Sequence, residues 1–270
     1  MRAMAVPLLF TGQFYLDASG MAWGLWYVPQ QPDELLPDAP PDALEPPPPS
    51  SPEEEPKSEG GRLPGELLQL AFAGDAESRF AQLELMQMSP ELACEVAKDL
   101  NVEAAIRSPH ANYFLQTLLT AHREVAVEVL EGQLQRKAHW AARHRFGCRV
   151  FCRLAEISEP GSVAEKILLR LLSEGGTELA FKEFARHVVI TCLGSGSSAL
   201  VEKALEIARS EPWNLAGSRW GRLLLEKAIE VDTSLAQELG SDMNRLSKLQ
   251  KKSRKARFLV YAVRKHSSAA

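Results

Sequence analysis

An all-α solenoid of stacked repeats is the fold class this sequence predicts, and three observations predict it. From Leu63 onward, apolar residues recur at three- and four-residue steps, as in LPGELLQLAF, PELACEVAKDL, EVAVEVLEGQL, SVAEKILLRLL and ALVEKALEIA, the period of an amphipathic helix. No alternating strand pattern of any length follows residue 66. Six similar segments recur at spacings of 34, 36, 38, 36 and 35 residues, which separates a repeat array from a simple bundle.

The chain before that array divides in two. Residues 1–30 carry six of the nineteen aromatic residues, including Phe14, Tyr15, Trp23 and Trp26. Two β-prone runs, LLFTGQFYLD and MAWGLWYVP, flank Ala18, Ser19 and Gly20, which predicts a short hairpin-like segment. Residues 31–65 are acidic and proline-rich, a composition that predicts a semi-extended Pro46–Pro49 and a flexible Gly60–Gly61. Proline lacks the amide donor for helix or sheet, so this stretch predicts a disordered linker, or a proline-rich ligand for another protein. Residues 66–270 form the repeat domain.

Charge follows the same divisions. The formal net charge of −4 is the sum of −7 over residues 1–65, −5 over 66–239 and +8 over 240–270. Bulk attraction of a polyanion by the array is therefore not expected, and only the last unit is basic. Four cysteines in 270 residues are too few for a disulfide-built secreted domain. No apolar run reaches the ~18 residues of a membrane span, and the first residues have a single basic side chain and a Pro7 break where a secretory signal needs a basic front and an unbroken apolar core. A soluble, cytoplasmic protein with no membrane partner is expected.

The six segments are AESRFAQLEL, HANYFLQTLL, FGCRVFCRLA, FARHVVITCL, WGRLLLEKAI and KARFLVYAVR. Each has an apolar doublet at its fifth and sixth positions, such as Phe114–Leu115, Val150–Phe151 and Leu224–Leu225, placed to pack between neighbouring units. Three segments begin with an aromatic and a small residue, Phe146–Gly147, Phe184–Ala185 and Trp220–Gly221, which permits close helix approach. The third and seventh positions lie at i and i+4 on one helical face, with the fourth beside them. These triplets are Ser78/Arg79/Gln82, Asn112/Tyr113/Gln116, Cys148/Arg149/Cys152, Arg186/His187/Ile190, Arg222/Leu223/Glu226 and Arg257/Phe258/Tyr261. Five of the six middle residues are flat. One flat group and two edge-readers per repeat fit a ladder of single-stranded bases, which stack on planar side chains and are read at their edges by short polar ones.

On SRFAQ, NYFLQ and CRVFC at one period, followed by helices of the SPELACEVAKDL type, the array resembles the Pumilio (PUF) family of RNA-binding repeats. The resemblance covers about residues 66–262 and is strongest over 72–200. In that family Ser or Cys with Gln reads adenine, Asn with Gln reads uracil, and the residue between them stacks. The resemblance thus implies that Ser78 and Gln82 read A on Arg79, that Asn112 and Gln116 read U on Tyr113, and that Cys148 reads A on Arg149, with His187 as a fourth stacker. Members bind RNA antiparallel to their repeats, so 5′-AUA-3′ over units three to one is implied. The implied partner is single-stranded, AU-rich mRNA, and the implied role is post-transcriptional control, with an effector protein recruited by the N-terminal segment or the convex face.

Departures from the family pattern are specific. Cys152 stands where Gln is expected and cannot make a bidentate amide contact. Arg186 with Ile190, and Arg222 with Leu223 and Glu226, match no familiar base-reading set. Five clear units and one weak one are present, whereas members usually have about eight. The competing reading is an armadillo- or HEAT-like solenoid that binds an extended peptide on its concave face, with Tyr113, Gln116 and Arg149 as ordinary surface.

Other features yield less. His144, Cys148 and Cys152 fall at i, i+4 and i+8, a spacing open to a zinc reading, but no fourth ligand is evident and Gly147 can start a new helix. No metal and no cofactor are expected. The basic run from Lys248 to Phe258 suits a solvated helix face, contact with phosphates, or, over Lys251–Arg257, nuclear import. No GxSxG, HExxH, P-loop or dinucleotide fingerprint occurs, and Gly194–Ser197 lacks the preceding strand of a phosphate cradle. The chain is not expected to be an enzyme.

Overall fold

The computed structural model describes residues 14–16, 22–24, 63–244 and 254–267, and the chain falls into two units, Met1–Lys57 and Ser58–Ala270. In the first, strands β1 (Phe14–Leu16) and β2 (Ala22–Gly24) pair antiparallel. Phe14 stands opposite Gly24, Tyr15 opposite Trp23 and Leu16 opposite Ala22. The expected turn at Ala18–Gly20 lies outside the described residues. Residues 31–62 of the expected linker lie outside the described residues.

The second unit holds fourteen helices among its described residues. Unit one comprises α1 (Pro64–Ala73), α2 (Asp75–Gln87) and α3 (Pro90–Asp99); unit two, α4 (Val102–Arg107), α5 (Ala111–Ala121) and the first part of α6 (Arg123–Arg143). The end of α6, α7 (Gly147–Glu156) and the start of α8 (Val163–Ala180) make unit three. The end of α8, α9 (Ala185–Cys192) and α10 (Ser198–Ser210) make unit four. Unit five has α11 (Pro212–Gly217), α12 (Gly221–Val231) and α13 (Thr233–Asn244), and α14 (Arg254–Ser267) carries the sixth segment. No helix among the described residues is long and apolar enough to cross a membrane.

Local chemistry starts and stops these helices where the repeat needs them. Pro64, Pro90 and Pro212 sit in the first turns of α1, α3 and α11, where the missing amide is no loss and the fixed φ is already helical. Ser89, Asn101, Ser162 and Ser197 cap α3, α4, α8 and α10 by accepting from backbone amides, each worth about 1 kcal/mol. α6 runs unbroken between units two and three, whereas α8 is interrupted at Gly176, whose φ of +47° suits glycine. Gly147 and Gly221 open α7 and α12 with the backbones of Ala141 and Leu215 against them; a Cβ at Gly147 would lie 2.3 Å from the Ala141 carbonyl oxygen. The expectation that small residues permit close approach here is met by contacts a methyl group could not share.

Two layers result. The six segment-bearing helices stack as one ladder, α2 on α5, α5 on α7, α7 on α9, α9 on α12 and α12 on α14. Behind it α3 packs on α6, α6 on α8 and α8 on α10. The doublets Phe114–Leu115, Val150–Phe151, Val188–Val189 and Leu224–Leu225 are fully buried between the layers, each side chain contributing roughly 1.5–3 kcal/mol by leaving water. At the first unit the equivalent Phe80 is 41% exposed. Of the basic run, residues 248–253 lie outside the described residues, and its last five residues open α14.

Candidate nucleic-acid interface

Stacking the inner helices places all six triplets along one ladder. In units one to four position three is buried, position seven is half-buried, and position four is exposed or half-buried. Asn112 is 0% exposed, and its Nδ2 donates to the carbonyls of Ser108 and Pro109 at 2.8 and 2.9 Å. Ser78 is buried too, its hydroxyl donating to the His110 carbonyl of the next unit at 3.2 Å. Buried Cys148 approaches the Arg145 carbonyl at 3.4 Å, and burial pushes its thiol up to about 11. Its sulfur is therefore a neutral group at physiological pH.

Position seven is tied to position three in the first two units. Gln82 Nε2 donates to the Ser78 carbonyl and hydroxyl at 3.1 and 3.3 Å, and its Oε1 accepts from Thr117 of unit two at 3.3 Å. Gln116 Nε2 donates to the Asn112 carbonyl and Oδ1 at 3.2 and 3.0 Å. The same fold-back recurs one repeat apart, so both glutamines are half-buried and held in one orientation. Cys152 in unit three has no amide to do this; its thiol, pushed up to about 12 by burial, pairs with Thr191 of unit four.

Position four supplies the flat groups. Exposed Arg79 pairs with Asp75 at 2.9 Å. Arg149 Nη1 donates to the Tyr113 hydroxyl at 2.7 Å, with its guanidinium carbon 6.0 Å from the Tyr113 ring centre. The two flat groups are thus joined across the boundary of units two and three. His187 is exposed, and partial desolvation plus the charges of Arg186 and Arg149 hold its pKa below the ordinary histidine range.

Units four and five use position three differently. Arg186 is 7% exposed, gives Nη1 to the Glu183 carbonyl, and stacks 4.0 Å from the Trp220 ring centre. Arg222 Nε donates to the Ala216 carbonyl at 2.8 Å, and its guanidinium lies 5.2 Å from the Phe258 ring. Leu223 is exposed at position four, where it offers no π-surface. Sequence reasoning had treated Trp220 only as a helix-start aromatic and had not singled out Arg219, which stacks on the same indole at 4.4 Å. The local signal is the adjacent Arg219–Trp220 pair; the second arginine, Arg186, comes from one repeat earlier.

The zinc reading finds no support in the arrangement. α6 ends at Arg143 and α7 begins at Gly147, so His144 is not on the helix of Cys148 and Cys152. His144 stacks on Trp140 at 5.2 Å, and its Nδ1 accepts from the Phe146 amide at 3.3 Å. Among the described residues no group of three His, Cys, Asp or Glu side chains could hold a metal ion. Of the Gly194–Ser197 loop, Ser195 donates to the Ala155 carbonyl at 3.0 Å and Ser197 to Glu165, so the loop bolts unit four to unit three.

No protein-family profile matches the sequence, and no curated protein sequence matches it. Solved structures do. The chain is similar to PUF-8 in complex with PBE-RNA, with a TM-score of 0.65 and 15% identity over 76% of this chain and 62% of that one. It is similar to the Puf4 RNA-binding domain bound to an HO endonuclease RNA 3′ UTR sequence, with a TM-score of 0.61 and 18% identity over 74% and 62%. A Puf4 mutant bound to the Cox17 RNA 3′ UTR sequence gives 0.58 and 20% over 67% and 57%. This chain therefore spans about three-fifths of the length of those domains. The helical array has the Pumilio-repeat (PUF) fold.

Proposed function

We propose that this chain binds single-stranded RNA selectively, with units one to three each holding one base, and that it acts in post-transcriptional regulation of mRNA. The observation that carries this reading is the repeated fold-back of Gln82 and Gln116 beside an outward flat residue. Holding an amide in one orientation before a base arrives lowers the ordering cost of the contact. A base between two such planes gains roughly 1–3 kcal/mol from stacking. The RNA-bound state of the similar PUF domains supports the same reading. With Asn112 fully buried, the outward edge contact in unit two belongs to Gln116, and Asn112 acts by holding it.

With a net charge of −5 over residues 66–239, affinity in the first three units rests on stacking and edge contacts more than on charge. The transcript would be selected by the array, and an effector protein recruited by the N-terminal segment or the opposite face. Selection from a random RNA pool tests the reading: an AU-rich consensus containing AUA is expected, and Gln116→Ala should relax the central position. A pool with no AU-rich consensus, or binding indifferent to Gln116→Ala, would overturn it in favour of a protein-binding solenoid.

A further inference from the structure

We propose that the junction of units four and five is a phosphate-binding site, in which Arg186 and Arg219 hold a phosphate oxyanion of the nucleic-acid backbone beside Trp220. Arg186 is nine-tenths buried, and its Nε is a buried side-chain nitrogen with no acceptor among the described residues. A guanidinium so enclosed requires an acceptor, since a buried polar hydrogen without one is costly. Arg219 converges on the same indole, with the two guanidinium carbons 4.0 and 4.4 Å from the ring centre. Arg186 gives one Nη1 hydrogen to the Glu183 carbonyl and stacks on Trp220, and Arg219 stacks on the same ring. The acidic side chain acting on Arg186 is Glu183, which gives it only a backbone carbonyl.

Two like charges beside one ring, each felt by the other, with one hydrogen left unmet, would be relieved by an anion placed between them. The guanidinium fork matches phosphate oxygens in pairs. His187 lies at the next position on the ladder and feels Arg186 and Arg149 on one side and Glu183 on the other, so it reports on any charge placed there. The surrounding body is net acidic, which sets this cluster apart from a generally basic surface. In units one and two the triplets offer amides and flat groups to bases; here the same ladder offers cations to the chain that links them. The RNA reading above supplies the source of the phosphate, but the receptor chemistry stands without base selection.

The test uses the full chain with three probes: inorganic phosphate, an abasic deoxyribose-phosphate octamer, and the selected RNA. Phosphate should raise the apparent pKa of His187, followed by NMR of its ring protons. The abasic octamer should bind with a salt slope that falls by about one in Arg219→Gln, an exposed position, with affinity several-fold weaker at low salt. Arg186→Gln, checked by circular dichroism, should do the same. An unmoved His187 together with an unchanged salt slope in Arg219→Gln overturns the site. Phosphate binding without octamer binding overturns the assignment to the nucleic-acid backbone. Octamer binding retained while base preference is absent supports the site and refutes the base-reading function instead.

Discussion

In unit one Ser78 gives its hydroxyl to His110, the first segment residue of unit two; in unit four Arg186, at the same position, meets Trp220, the first segment residue of unit five. Position three is a link to the next repeat in both halves. A short link leaves the outward surface to position seven, where Gln82 and Gln116 are held ready. A long cationic link fills that surface itself, and the neighbouring position seven becomes Ile190, half-buried against the core. One scaffold thus carries a half with amides at position seven and a half with arginines at position three.

The largest effect should show that the scaffold is common to both halves. Phe151→Ala in unit three and Leu225→Ala in unit five, both fully buried, should cost about 3–5 and about 2–5 kcal/mol respectively in urea unfolding. A much smaller cost in unit five would mean that its packing, and not only its surface, has diverged. Next, Tyr113→Ala should weaken RNA binding by about 1–3 kcal/mol, whereas Leu223→Ala should leave it unchanged by fluorescence anisotropy. Equal losses would erase the distinction. Leu223→Tyr should sharpen it, adding a platform to unit five and a gain of up to about 1 kcal/mol.

A smaller effect is expected from pH. Desolvation, together with Arg186 and Arg149 for His187 and with Arg107 and Arg145 for His144, holds both imidazoles below their ordinary pKa. The folded state therefore binds these protons less readily than the unfolded chain. Stability from this source is complete above the ordinary histidine range and declines as pH falls through it toward the folded values. Urea midpoints at pH 7.5 and 5.5 should differ in that direction, and His187→Gln should reduce the difference.

The repeat period and the apolar doublets were legible in the sequence because burial between units admits few residue types. Helical texture from Leu63 onward was legible from the same periodicity, and α1 begins at Pro64. The inward turn of Asn112 was not legible: a polar residue on an otherwise outward face looks exposed until Ser108 and Pro109 present two carbonyls beneath it. The pairing of Arg186 with Trp220 spans 34 residues and depends on how closely Gly221 lets α12 approach, which no local pattern encodes.

The contrast between α6 and α8 has a mechanical consequence. α6 is a continuous rod of 21 residues, about 32 Å long at 1.5 Å per residue, so units two and three share a member that cannot bend at their boundary without losing helical hydrogen bonds. α8 is divided at Gly176, so units three and four meet at a seam. In an array whose cooperativity is passed between neighbours, opening should stop at such a seam, and amide exchange across α8 should divide into two rates where α6 shows one.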